Sequence, residues 1–275
     1  IRRPPRSTQG VSSAASDVYK RQTAVNLAAA LGVLEKKLRD KINIYLKVNV
    51  GYDRAGVDYD SDLIERIISY SESSSKLNFK GFLSHFGDTY NSRSSEDIHD
   101  SFKNSIDKIS RLNKKYPDYE ISIGDTPSSS LVKKYPKFIT EIRPGNFVFY
   151  DLDQYKIGSC KLDQIAIRLV CPVVSIYQKR NSLLLYGGSV HFSKDYIIEN
   201  NSKCFGYVYH GDYWSLDNKI GYIKSLSQEH GIVELEKKVN LKIGDKLSVI
   251  PVHSCLTVDK MQEFYVNENK FKIMT

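Results

Sequence analysis

No apolar run in this chain approaches the roughly 20 residues that a bilayer-spanning helix needs, so a membrane-spanning helix is excluded. Cysteine is scarce. Cys160, Cys171, Cys204 and Cys255 are widely scattered with no paired spacing, which points to reduced thiols and a cytoplasmic protein rather than a disulfide framework. There is no internal repeat and no low-complexity linker. A concentrated basic block is also missing, although the net charge is +8. Arg2, Arg3, Arg6, Lys20 and Arg21 against Asp17 account for half of that excess, and the other half is spread along the chain. A nucleic-acid partner is therefore not expected. Residues 1–22 also lack hydrophobic periodicity and the apolar centre of a signal peptide. They look like translated sequencing-adapter read-through, with a disordered natural N-terminus as the alternative.

What remains is ordinary for a globular protein. The 275 residues, 41% hydrophobic and 26% charged, suffice for one large or two modest domains. Val25, Leu27, Leu31, Leu34 and Leu38 fall at helical spacing. Ile42 to Val50 alternates as a strand, 61–75 returns to helix, and 78–85 is a strand. Residues 95–115 form a helix with Phe102, Ile106, Ile109 and Leu112 on one face, and strands follow at 119–123 and 138–142. Such alternation predicts a parallel α/β unit. It holds about four strands, whereas a complete eight-stranded barrel takes about 250 residues. Beyond residue 160 the pattern becomes strand after strand, at 165–175, 182–186, 204–209, 219–227, 231–235 and 246–251. These predict an antiparallel β domain.

Two turns at strand ends draw notice. Pro144-Gly145-Asn146 lies between short apolar runs, and Thr126 lies in Gly124-Asp125-Thr126-Pro127. Proline presets one backbone angle and glycine permits close approach, so bare N–H groups can face an anion. Alone, each reads as a plain loop; together they form a cup suited to phosphate. Farther on, His253 and Cys255 are two apart in a strand-like stretch. Period-two alternation would put both side chains on one face, within reach of a single ion. Imidazole and thiolate suit zinc, and two protein ligands leave positions open for substrate. The commoner arrangement of such a pair is a buried cysteine beside a hydrogen-bonded histidine.

Six segments in order carry a family resemblance: Gly51-Tyr52-Asp53-Arg54-Ala55-Gly56-Val57, Gly81-Phe82-Leu83-Ser84-His85-Phe86-Gly87-Asp88-Thr89-Tyr90, Gly124-Asp125-Thr126-Pro127, Arg143-Pro144-Gly145-Asn146-Phe147, Ser227-Gln228-Glu229-His230-Gly231 and Pro251-Val252-His253-Ser254-Cys255. Singly each is weak, but six in this order are specific. From about residue 23 onward the chain resembles the pyridoxal-phosphate enzymes of the alanine-racemase-like barrel fold (fold type III), in particular D-threonine aldolases and D-serine dehydratases.

The resemblance implies a fold, a cofactor and a set of roles. The fold would be the C-terminal half of a (β/α)8 barrel over 23–158, then a β domain over 159–275 carrying the metal motif. Thr126, Gly145 and Asn146 match phosphate-binding positions, and Tyr90 matches a tyrosine that contacts the cofactor. Arg143 matches the arginine that faces the pyridine nitrogen. Arg54, with Lys47, matches a lysine–arginine pair beside the cofactor and is the candidate catalytic residue. His253 and Cys255 match a His-x-Cys pair that holds zinc or another divalent metal in D-serine dehydratases. D-threonine aldolases often have a carboxylate at the second position, so Cys255 leans toward the dehydratase type. Leu83 stands where some relatives have a further tyrosine. Relatives attach the cofactor to a lysine on the first barrel strand; no lysine here has that context, and Lys47 is on another strand. An N-terminally truncated, inactive fragment of a metal-assisted lyase acting on a small D-β-hydroxy amino acid is thus expected, its parent a homodimer. An amino-acid racemase and a non-enzymatic pyridoxal-phosphate-binding protein are the alternatives.

Overall fold

A computed structural model of the chain describes Gly32 and residues 35–273. Most of the helix expected over 24–38 and all of residues 1–22 lie outside the described residues; within them, 35–37 are helical. The chain forms two compact units, divided between Gly145 and Asn146.

The first unit is a parallel sheet with helices. Its strands are β1 (Ile42–Asn49), β2 (Val57–Asp58), β3 (Leu77–His85), β4 (Glu120–Gly124) and β5 (Glu141–Ile142), in the order β2-β1-β3-β4-β5. The two edge strands are only two residues long, which limits the exposed ladder. Beyond β1, three α-helices belong to this unit: α1 (Leu63–Ser73), α2 (Ser95–Lys115) and α3 (Thr126–Leu131). α2 has the caps its sequence advertises. Ser94 Oγ accepts from Asp97 N at 3.1 Å, acids occupy the first turn, and Lys114 and Lys115 occupy the last. Ile64, Ile67 and Ile68 of α1 and Ile109 and Leu112 of α2 bury against Leu46, Val48, Phe82, Ile121 and Ile123 of the sheet. Each such side chain contributes about 1.5–3 kcal/mol of burial. Gly81 is obligatory for the pairing of β3 with β4, since a Cβ there would lie 2.0 Å from the Glu120 carbonyl oxygen.

The second unit is a closed antiparallel barrel. Its strands are β6 (Leu169–Tyr177), β7 (Ser182–Tyr186), β10 (Gly206–His210), β11 (Lys219–Leu226), β12 (His230–Leu235) and β13 (Lys246–Pro251), in the order β10-β11-β12-β7-β6-β13. A small hairpin, β8 (Ile197–Glu199) and β9 (Ser202–Cys204), precedes β10, and another, β14 (Glu263–Val266) and β15 (Asn269–Lys272), ends the unit. Alternation splits the apolar residues between two clusters. Val208, Leu247 and Val249 join Leu183, Leu185 and Val233 in one, while Tyr207, Tyr209 and Ile250 join Leu152, Leu162 and Ile165 in the other. The second cluster exists because α4 (Leu152–Lys156) and the stretch after it cover the sheet. That packing places residues 146–158, expected in the α/β part, in the β unit.

The parallel sheet followed by an antiparallel β domain is as expected, down to 95–115, 182–186 and 246–251. One expectation needs correcting. The stretch after Pro251 is not strand: β13 ends there, and α5 (Ser254–Met261) begins with His253 as its N-cap residue. The period-two argument for His253 and Cys255 therefore fails. Cys255 lies in the first turn of a helix, which the apolar run Val249-Ile250-Pro251-Val252 gives no sign of.

Candidate functional site

In the first unit the predicted residues gather where parallel strands end. Asn49 closes β1 and shapes the next turn, its Oδ1 accepting from Gly51 N and Asp53 N, each at 3.1 Å. The backbone is left-handed at Asp53 and has φ +121° at Gly56, where a Cβ would sit 2.8 Å from Asn49 N. This turn presents Arg54, whose guanidinium lies 5.4 Å from the Tyr52 ring centre. The Tyr52 ring meets His85 edge-on at 5.7 Å, and His85 is 5.9 Å from Tyr90. The Tyr90 hydroxyl accepts from Thr126 N at 3.3 Å. Arg54, Tyr52, His85, Tyr90 and Thr126 thus form one continuous row, of which Arg54, Tyr90 and Thr126 are sequence-predicted.

Arg143 lies across the same strand ends. Its Nε donates to Ser122 Oγ at 2.7 Å and its Nη2 to the Ser84 carbonyl at 2.8 Å, with Glu141 Oε2 3.9 Å from Nε. His85 Nδ1 is 2.8 Å from the Gly124 carbonyl, which can only accept, so Nδ1 carries the proton. Burial, and then the positive charge of Arg54, push the His85 pKa down to about 4, with Lys47 and Arg143 adding to the effect. At neutral pH the imidazole is uncharged and three cations face it. Such a strand end suits an anion.

The turn at Thr126 is fixed from below. Asp125 is buried and caps α3, accepting from Ser128 N and Ser128 Oγ and from Thr89 Oγ1 at 2.8 Å. Burial raises its pKa against those bonds. At Gly145 a Cβ would meet nothing within 4 Å. The described residues leave that space open, which fits a phosphate approaching the backbone there. Backbone and hydroxyl donors, a neutral imidazole and an arginine are the donor set that a phosphorylated pyridine ring requires.

In the second unit the predicted residues surround Asp151, which is buried and whose pKa burial raises. Asp151 caps α4 through Gln154 N at 3.0 Å, accepts from Asn146 Nδ2 at 2.6 Å, and takes Ser254 N at 3.0 Å. Asn146 Oδ1 in turn accepts from Ser254 Oγ at 2.7 Å and lies 3.7 Å from Cys255 Sγ. The Asn146 side chain is thus occupied in fixing the start of α5. Burial, then the Asp151 charge, push the Cys255 thiol up. His253 Nδ1 is 2.8 Å from Asp195 Oδ2. No cluster of three or more His, Cys, Asp or Glu side chains with metal-site geometry occurs among the described residues. The pair offers two protein donors, one imidazole nitrogen and one thiol, and their chemistry suits zinc if the thiol gives up its proton.

Tyr52, His85 and Asp195 carry much of this geometry, and nothing in sequence spacing separates them from loop residues. The Asp-Thr-Pro-Ser run at 125–128 and the Asp-Leu-Asp-Gln run at 151–154, like Ser94 before α2, have the written form of a helix cap.

A parallel α/β unit followed in the chain by a closed antiparallel barrel is the fold of known fold-type III structures. The D-threo-3-hydroxyaspartate dehydratase from Delftia sp. HT23 aligns over 87% of this chain and 66% of its own, with a TM-score of 0.74 and 19% identity. The chain belongs to the alanine racemase N-terminal domain family, which it matches over residues 12–153. Residues 166–267 match a second family, described as "Putative serine dehydratase domain". Among curated proteins, the D-serine dehydratase of Dictyostelium discoideum is 32% identical over 263 residues, covering 86% of this chain and 64% of that protein. The D-serine dehydratase of Saccharomyces cerevisiae is 28% identical, covering 82% and 59%. The chain therefore spans a little under two thirds of the curated relatives it matches.

Proposed function

We propose that this chain is part of a pyridoxal-phosphate lyase that eliminates water from a small D-β-hydroxy amino acid, with D-serine the first candidate. The observation that carries this reading is the strand-end array, in which Arg54, Tyr52, His85, Tyr90 and Thr126 form one row and Arg143 donates to Ser122 Oγ and the Ser84 carbonyl. The likeness of both units to D-serine dehydratases supports it. When bound, the cofactor supplies an electron sink for the charge left on the substrate α-carbon.

The chain's own residues would hold and tune it. Thr126 and Gly145 give phosphate donors, and Tyr90 packs beside them while holding Thr126 N. Arg143, a permanent cation, opposes a proton on the ring nitrogen that it faces in this reading. Arg54 would stand beside the cofactor as the candidate catalytic residue. His253 and Cys255 would hold a divalent metal, zinc by donor preference, and such an ion would supply Lewis acidity toward a hydroxyl oxygen. In this reading no lysine among the described residues takes the cofactor-linking role. We therefore expect the 275-residue chain alone to show no stoichiometric borohydride labelling and no turnover.

The racemase alternative has no use for the metal pair, so one experiment separates the two. The full-length protein, loaded with pyridoxal phosphate and zinc, should release ammonia and pyruvate from D-serine and lose that activity to a chelator. Chelator-insensitive interconversion of alanine enantiomers, without ammonia release, would replace the lyase by the racemase. Binding of the cofactor with neither reaction would favour a non-enzymatic carrier.

A further inference from the structure

The β unit holds a carboxylate–imidazole pair, Asp195 with His253, whose carboxylate the proposed reaction leaves without a task. Asp195 Oδ2 and His253 Nδ1 are 2.8 Å apart, with side chains 52% and 40% exposed. A pair so exposed contributes at most about 1 kcal/mol to stability. Its geometry is nevertheless set on both sides. Asp195 follows a loop tied to the barrel by Gly187 N to Glu229 O and by the fully buried Phe192. Its own N–H donates to Ser193 Oγ at 3.0 Å, and the core residue Ile197 comes next but one. His253 stands between buried Val252 and buried Ser254, its carbonyl accepting from Thr257 N and Oγ1. Two half-exposed side chains thus stand on backbones anchored by hydrogen bonds and buried neighbours.

A carboxylate can only accept, so in the neutral imidazole Nδ1 carries the proton and Nε2 carries the lone pair. Among the described residues, Nε2 has no hydrogen-bond partner. The imidazole borders a cavity of about 320 Å³ lined by Asp153, Lys194, Asp195, Tyr196, Val252 and His253. We propose that Asp195 is a positioning residue for His253, fixing its tautomer and ring plane so that Nε2 is the nitrogen offered to a divalent metal. The proposal rests on the metal reading of His253 and Cys255. Loss of a carboxylate partner behind a ligating imidazole costs about 10–100-fold in metal affinity.

The test uses the 275-residue chain, with zinc as the probe and a chromophoric chelator as competitor at one pH. The imidazole nitrogens of the metal-free protein are read by ¹⁵N NMR, with the His253 signals assigned by their absence in His253→Ala. Wild type should show Nδ1 protonated and Nε2 bare. Asp195→Ala should lose that tautomer preference and about 10–100-fold in zinc affinity, with unchanged Trp214 emission as the sign of an intact fold. Asp195→Asn keeps an accepting oxygen, so it should keep the tautomer and recover part of the affinity. Wild-type zinc affinity and nitrogen shifts in Asp195→Ala, with zinc still lost in His253→Ala, would overturn the positioning role alone. Unchanged zinc affinity in His253→Ala would remove the metal reading itself, and the proposal with it.

Discussion

Each unit fastens its candidate site with one buried aspartate, and the two aspartates differ in where their partners come from. Asp125 takes Ser128 from its own helix and Thr89 from the turn after β3. Asp151 takes Gln154 from its own helix and Asn146 from just upstream, and then Ser254, 103 positions away. Both residues are extended at the N-cap of a short helix, and burial raises both carboxyl pKa values. Asp125 secures one turn; Asp151 joins the starts of two helices. A capping carboxylate can therefore serve locally or as a clamp between distant parts of a chain, and only its partners tell which.

Removing the two carboxylates is the strongest comparison. Asp151→Ala leaves Ser254 N, Gln154 N and Asn146 Nδ2 without their buried acceptor, at a cost of about 4 kcal/mol. Asp125→Ala also strands three donors, but two are hydroxyls that can turn and Thr89 Oγ1 already reaches the Phe86 carbonyl, so it should cost about 2–3 kcal/mol. The single tryptophan, Trp214, packs in the β unit and reports on it alone. Urea unfolding followed by Trp214 emission should shift markedly for Asp151→Ala and little for Asp125→Ala, whose loss should appear in hydrogen exchange of β3 and β4. Equal shifts of the tryptophan transition would mean that the two clamps are not separate.

A smaller contrast is acid sensitivity. The folded pKa of His85, about 4, lies below its unfolded value of 6.5. The stability this neutral histidine contributes is complete above pH 6.5 and is lost as the pH falls toward 4. Allowing for partial exposure, about 2 kcal/mol should disappear from the parallel unit across that window. Hydrogen exchange of residues 77–85 at pH 7 and pH 4.5 measures it. His85→Gln, which keeps a donor for the Gly124 carbonyl, should flatten the dependence.

The smallest effect concerns Gly145. With nothing within 4 Å of a Cβ, Gly145→Ala should change stability by less than about 0.5 kcal/mol. If that space receives the cofactor phosphate, the same change should weaken pyridoxal-phosphate binding, read by absorbance titration. Unchanged cofactor affinity would separate Gly145 from the phosphate.

Legibility in the sequence follows the range of the interaction. The β1 alternation, the amphipathic α2 with Ser94 as its cap, and the strands 182–186 and 246–251 are local patterns and read directly from residue types. Arg54, Tyr90, Thr126 and Arg143 are recognisable from family segments, and all four lie where the strands of the parallel unit end. The companions of those residues are not legible. His85 matters because three cations face it from other segments, and Asp195 because a loop from β7 brings it to His253. Helix α5 eluded the pattern because a β-branched, apolar run leads into it and its start is stabilised by Asp151 rather than by a capping residue of its own.

The Asp151–Ser254 bond also bears on the order of events during synthesis. A ribosome adding about 5–20 residues per second needs roughly 5–20 s to produce Ser254 after Asp151. Strand β13, which closes the barrel between β6 and β10, is made in the last moments of that interval. Until then the carboxylate of Asp151 has only Gln154 and Asn146, and the partners of β6 and β10 are incomplete. A nascent chain stalled before residue 246 would carry two open strand edges and an unfinished clamp, making that interval the period in which it most depends on a chaperone.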